Sequence, residues 1–150
     1  MKLLDTSVLI DIDIGGKEVL EKAKELDKEG RHAICSVSHF EFYWGIYRKY
    51  EIGSAKYKEA LKKAERLLSR FFSLSITPEI AIRAARIGTT LVSKGEEIGV
   101  NDTYIAAVAI VHDLTLVTAD VAHFRRIEGL RPNITSFIGY DNMNLRHIAI

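Results

Sequence analysis

Four carboxylates stand at comparable places along the chain. Asp5 ends the apolar pair Leu3-Leu4, and Glu41 comes one short segment after the apolar run Ala33-Ile34-Cys35. Asp102 opens the apolar stretch Ile105 to Val111, and Asp120 directly follows Leu116-Val117-Thr118-Ala119. Taken singly, each has a structural explanation. Asp5 or Thr6 caps a helix, Ser38-x-x-Glu41 is a capping box, Asp102 is a first-turn acid, and Asp120 is a turn residue. Taken together they pose an electrostatic problem, because four carboxylates in one pocket repel one another unless protons or a cation compensate. The chain has a single cysteine, Cys35, and its histidines at 32, 39, 112, 123 and 147 show no zinc-binding spacing. An all-oxygen ligand set suits Mg²⁺ or Mn²⁺, which keep several waters and accept phosphate oxygens. Such an ion activates water and clamps a phosphodiester for in-line attack, so the chemistry these residues imply is phosphodiester hydrolysis.

An open α/β sheet is what brings distant acids together, since its strand C-termini and the helix N-termini that follow lie along one edge, where such sheets place their ligands. Apolar runs predict strands at Lys2 to Asp5, His32 to Cys35, Phe72 to Ile76, Leu114 to Thr118 and, at an edge, Ile134 to Phe137. Helical periodicity predicts helices over Ser7 to Ile14, Lys17 to Glu29, Ser36 to Tyr50, Ala55 to Phe71, Thr77 to Lys94, Thr103 to Val111 and Val121 to Ile127. Gly15-Gly16, Gly30 and Gly95 stop three of them. Leu20, Ala23 and Leu26 form one predicted inward face, and Tyr57, Leu61, Ala64, Leu67, Leu68 and Phe71 another. Thr103 to Val111 has almost no polar face and is expected to be buried against the sheet. The aromatic run Phe42, Tyr43, Trp44, Tyr47 is expected in core or partner packing. Strands alternating with helices imply right-handed crossovers and a mostly parallel sheet covered on both faces. The apolar tail Gly139 to Ile150 is expected to pack on the body or on another subunit.

A chain of 150 residues with 47% hydrophobic and 27% charged residues has the makeup of one globular domain, spanning 1–150, and excludes a disordered chain. The formal net charge of +1 excludes a global field that would draw the molecule onto nucleic acid or membrane, so any basic binding surface is local. Cys35 has no internal disulfide partner, which fits a reducing, cytoplasmic setting and a core thiol. No apolar run approaches a membrane span, and Asp5 and Asp11 interrupt the N-terminal stretch where a signal sequence would lie.

The order and spacing of Leu4-Asp5-Thr6-Ser7-Val8-Leu9-Ile10-Asp11, Ser38-x-x-Glu41, Asn101-Asp102-x-x-Ile105-Ala106-Ala107 and Leu116-Val117-Thr118-Ala119-Asp120-x-x-His123-Phe124 resemble the PIN domain of VapC-type toxins. The resemblance spans nearly the whole chain. It implies a PIN-like three-layer α/β/α fold with a five-stranded, mostly parallel sheet in the order 3-2-1-4-5. It also implies Mg²⁺- or Mn²⁺-dependent endoribonuclease activity, a homodimer, and a small VapB-like antitoxin that blocks the site. By position, Asp5, Glu41, Asp102 and Asp120 correspond to the metal-site acids, with Glu41 acting through water or orienting the attacking water, and Thr118 corresponds to a supporting hydroxyl. Thr6 and Ser7 either assist by hydrogen bonding or cap the first helix. His123 is a departure, since many relatives carry an acid there, and it leaves the outer part of the site open. Asp11 is a second-sphere or surface residue in this reading.

Other readings of the same residues are a PIN nuclease of RNA processing or decay, a metal-dependent phosphatase suggested by Asp11-Ile-Asp13, and a catalytically silent interaction protein. RNA approaching a cluster of acids needs flanking cations. Arg48 and Lys49, Lys62 and Lys63 within the helix Lys56 to Arg70, and Arg125 and Arg126 are the candidates, a solvated helix face being the equal alternative. His39 and His123 are the histidines able to approach the acidic edge.

Overall fold

The computed structural model describes residues 1–130 and 134–137. The expectation for the tail from Gly139 onward lies outside the described residues. Five short parallel strands, β1 (Lys2–Leu4), β2 (Ala33–Cys35), β3 (Phe72–Leu74), β4 (Thr115–Thr118) and β5 (Ile134–Ser136), form one sheet in the order β3-β2-β1-β4-β5. The expected strand order and parallel sense are thus observed. β1 is central, pairing with β2 through Leu3↔Ala33 and with β4 through Leu3↔Leu116 and Leu4↔Val117.

Because side chains along a strand alternate faces, Leu3 and Leu4 enter different cores. Leu3, Ala33 and Leu116 pack against α5 (Pro78–Ser93), α6 (Val100–Val111) and Phe124 of α7 (Val121–Phe124). Leu4, Ile34 and Val117 pack against α1 (Thr6–Ile14), α2 (Lys17–Lys28), α3 (Ser36–Lys49) and α4 (Ala55–Leu68). Leu3, Leu4, Ile34 and Leu116 are essentially fully buried, each contributing roughly 1.5–3 kcal/mol of apolar transfer free energy. The result is the three-layer arrangement expected from strands that are apolar on both faces.

The helix α6 is buried as predicted, with Ile105, Ala106, Ala107, Val108 and Ala109 at most 1% exposed. Its alanines let α5 approach closely. It starts at Val100, three residues before the predicted start, which puts Asn101 and Asp102 in its first turn. One inward face differs from expectation, and the aromatic run on α3 divides. On α2, Val19 and Ala23 are buried while Leu20 is exposed. On α3 the aromatic run divides, with Phe42 buried beside Ile46 and Phe40, Trp44 and Tyr47 about half exposed. Helical geometry forces the division, because consecutive residues point 100° apart and only one stripe can meet the sheet.

Candidate active site

The site begins at Asp5, which leaves β1 where its backbone N–H still bonds the Val117 carbonyl at 2.9 Å. The parallel register that sets Leu4 beside Val117 sets Asp5 beside Thr118. Thr118 Oγ1 donates to Asp5 Oδ2 at 2.8 Å, and Ser7 Oγ donates to the same oxygen at 2.6 Å. Asp5 is only 5% exposed and Thr118 not at all. Asp5 occupies the N-cap position of α1, yet its side chain makes no cap bond and only its carbonyl serves the first turn. Thr6 and Ser7 do not cap the helix either, contrary to the capping reading. Ser7 holds Asp5, and Thr6 Oγ1 donates to Glu41 Oε2 at 2.5 Å.

Glu41 arrives from α3, which starts at Ser36 directly after β2 with Cys35 as its N-cap residue. The Ser38-x-x-Glu41 capping box does not form, because Ser38 is buried against the Cys35 thiol and Glu41 lies beyond the first turn. Instead Glu41 receives Thr6 on one oxygen and Asn101 Nδ2 on the other, at 2.9 Å. Asn101 is the contact that sequence reasoning missed. Its position beside Asp102 was the available signal, but no local pattern marks an amide as the orienting partner of a carboxylate 60 residues away.

Asp102 projects from the first turn of α6. Gly99 leaves it room, since a Cβ there would stand 3.3 Å from Asp102 Oδ2. Burial, together with the neighbouring negative charge of Asp5, Glu41 and Asp120 and against the opposing effect of His123, pushes the Asp102 carboxyl up to about 6 from an ordinary 3.8. Asp120 follows β4, and its backbone N–H bonds Thr118 Oγ1 at 2.9 Å. Its Oδ1 accepts the His123 N–H at 3.2 Å as the cap of α7. His123 Nδ1 lies 3.3 Å from Asp120 Oδ2 and 3.7 Å from Asp102 Oδ2. His39 behaves differently. Its Nε2 is buried with no hydrogen-bond partner among the described residues, and burial lowers its pKa.

The PIN domain family model matches residues 2–130, nearly the whole described chain. The chain belongs to the PIN-domain family. Ribonuclease VapC1 of Haemophilus influenzae (strain R2866) is 26% identical to this PIN domain over 130 residues, covering 86% of this chain and 93% of that protein. Ribonuclease VapC10 of Mycobacterium tuberculosis (strain CDC 1551 / Oshkosh) is 33% identical over 132 residues, covering 88% and 92%. Among solved structures, VapBC2 from Rickettsia felis bound to a DNA fragment from their promoter superposes with a TM-score of 0.77 at 26% identity, covering 90% of this chain and 97% of that one.

All four acids of this PIN domain come from different segments, and Asp5, Glu41 and Asp120 each act on the Asp102 carboxyl. Among the described residues, no three Asp, Glu, His or Cys side chains converge closely enough to hold a metal ion as they stand. The donor set still fits a hard divalent cation: it is all carboxylate oxygen, Asp5 is fixed through one oxygen only, and the neighbouring negative charge, which adds to burial in raising the Asp102 pKa, is charge a cation would offset.

The basic candidates separate. Lys49 and Lys63 line an open groove of about 800 Å³ floored by Ile10, Phe42 and Ile46, and Glu41 reaches its wall. Of the four acids only Glu41 lines this groove, so the groove and the acid cluster are neighbours and not one pocket. Lys63 is also tied to Asp13, the second acid of Asp11-Ile-Asp13, at 3.0 Å. Arg48, Lys62 and Arg125 are exposed and do not line the groove, while Arg126 lines a smaller cleft against α5. No helix among the described residues is long and apolar enough to cross a membrane.

Proposed function

We propose that this chain, as a single domain over residues 1–150, is a divalent-metal-dependent endoribonuclease and the toxin of a VapBC-type toxin–antitoxin pair. The observation that carries the reading is that Asp5, Glu41, Asp102 and Asp120 share one neighbourhood, where burial and then the charge of the other three acids raise the Asp102 pKa. The ribonuclease names of the relatives and their likeness over most of both chains support the activity, and the VapBC complexes among its structural neighbours support a VapB-like partner.

Asp5, Asp102 and Asp120 hold Mg²⁺ or Mn²⁺ directly in this proposal, and Glu41 binds through water. When bound, the cation offsets charge on the phosphodiester and makes its coordinated water a stronger acid. Ser7 and Thr118 fix the rotamer of Asp5 so that its free oxygen faces the site. Thr6 and Asn101 fix Glu41, which orients the attacking water. Lys49 and Lys63 supply cations for the RNA backbone along the groove that Glu41 borders. A basic antitoxin segment entering the acid cluster is the inhibitor expected from charge complementarity, and a neighbouring reading frame is expected to encode it. The homodimer and the cytoplasmic location belong to the same proposal.

The test is RNA cleavage by wild type, Asp5→Asn and Asp102→Asn, each with added Mg²⁺ or Mn²⁺ and with chelator. Metal-dependent cutting abolished by both substitutions is expected. Cutting that survives both removes the site assignment.

A further inference from the structure

Helix α3 carries an aromatic stripe that the fold leaves half exposed. Phe40, Trp44 and Tyr47 follow one another at i, i+4 and i+7, the spacing that keeps side chains on one face of a helix. Phe40 and Trp44 lie with ring centroids 5.3 Å apart. Tyr47 extends the patch to Tyr43 at 6.3 Å and to Tyr57 of α4 at 6.0 Å. Phe42 and Ile46 take the core-facing side of the same helix, so the stripe points away from the sheet. Aromatic side chains present about 150–250 Å² each, and the exposed half of three amounts to roughly 300 Å². Apolar patches of that size mark interaction sites. A standard interface takes about 800 Å² from each partner, and these rings supply the apolar centre of one.

The residues beside the rings say what covers them. One flank of the stripe carries Glu41 and Arg48, seven residues apart, and the other carries Phe40 and Tyr47, also seven apart; Trp44 stands near the middle of both pairs. We propose that a second copy of this chain seats on the stripe, with the two α3 helices antiparallel about a two-fold axis at Trp44. In a two-fold interface one patch serves both partners, and every contact from i to j is matched by one from j to i. That operation sets Trp44 against the partner's Trp44, Phe40 against the partner's Tyr47, and Glu41 level with the partner's Arg48 on the same flank. Rings meet rings and opposite charges meet. A nucleic-acid strand is the poorer occupant, because Glu41 would repel its phosphates. Glu41 is also the site acid that Thr6 and Asn101 hold, so each copy brings a guanidinium to the edge of the other's site. Arg48 then serves the interface, in keeping with its place outside the groove that Lys49 and Lys63 line. The inference rests on the homodimer of the reading above and names its surface.

Trp44 is the one tryptophan of the chain, so its fluorescence reports on the seat directly. The full chain without antitoxin is followed by sedimentation velocity and by tryptophan emission over a dilution series. A dimer whose emission moves to longer wavelength as it dissociates is expected. Phe40→Ser with Tyr47→Ser should raise the dimer dissociation constant roughly tenfold or more, and Arg48→Glu should do likewise by setting two acids against each other. Leu20→Ser with Ile82→Ser removes exposed apolar surface from α2 and α5 and should leave the dimer unchanged. Trp44→Cys should form an intermolecular disulfide on mild oxidation, since the axis sets position 44 against itself. Leu20→Cys, and the wild type with its one buried thiol, should not. A chain that is monomeric at every concentration overturns the proposal. So does a dimer indifferent to the α3 variants while their thermal unfolding is intact. Quenching of Trp44 by single-stranded RNA in a chain that stays monomeric would assign the stripe to base stacking and also overturns it. If the chain dimerises through Trp44 while cutting no RNA under any metal, the ribonuclease reading fails and the interface stands. If it cuts RNA as a monomer, the interface falls and the ribonuclease reading stands.

Discussion

Thr118 Oγ1 and Asp5 Oδ2 are 2.8 Å apart across 113 residues of sequence, and both side chains are buried. One hydroxyl serves two acids, because the same Oγ1 accepts the backbone N–H of Asp120. Thr118→Val keeps the shape and removes both bonds. It should cost about 1–3 kcal/mol of stability, the usual cost of leaving buried polar groups unsatisfied. Metal affinity or activity should fall about 10- to 100-fold, as when an orienting partner behind a metal ligand is lost. Thr118→Ser should restore most of both. Thermal unfolding and calorimetric Mn²⁺ titration would check this; equal behaviour of Val and Ser variants would show that the hydroxyl orients nothing.

Asp102 makes the metal-free protein sensitive to pH. Its carboxyl titrates at about 6 in the fold against an ordinary 3.8, so between those values the folded chain binds the additional proton. Stability from this group is complete below about pH 4, declines as pH rises toward 6, and stays reduced above. Asp102→Asn removes the decline. Without metal it should be more stable than wild type at pH 7, on the order of 1–2 kcal/mol, and show no advantage below about pH 4. Mg²⁺ should then stabilise wild type and leave Asp102→Asn nearly unmoved. A substitution that destabilises equally at both pH values would contradict the electrostatic account.

Glu41 is held at both oxygens, by Thr6 and by Asn101. Asn101→Ala frees one of them while leaving the acids in place. If Glu41 orients the water, the cleavage rate at saturating metal should drop roughly 10- to 100-fold with little change in metal affinity. A parallel loss of metal affinity would make Glu41 a direct ligand.

Lys49 and Lys63 border the groove that Glu41 reaches, whereas Arg48 and Lys62 are exposed outside it. Neutralising Lys49 and Lys63 together should flatten the salt dependence of RNA affinity by about 1.4, at about 0.7 per contact. Neutralising Arg48 and Lys62 should leave it nearly unchanged. The reverse ranking would move the RNA track off the groove.

The sequence alone determined the alternation of helix and strand and the four acids, and its resemblance to PIN domains implied the strand order. The first two properties are written in local patterns: apolar runs too short for helices, glycine stops after amphipathic faces, and carboxylates that follow two of the strands or stand near the start of a helix. Leu4-Asp5-Thr6-Ser7 shows where the patterns end. The two hydroxyls have the chemistry of caps, and only the parallel register of β1 with β4 and the approach of α3 assign Ser7 to Asp5 and Thr6 to Glu41. The same holds for Asn101 and for the separation of Lys49 and Lys63 from Arg48 and Lys62. Sequence separation carries no information about such pairs, because a hydrogen bond across 35, 60 or 113 residues is set by how sheet register and helix packing close the chain, and these are decided by the burial of the whole core.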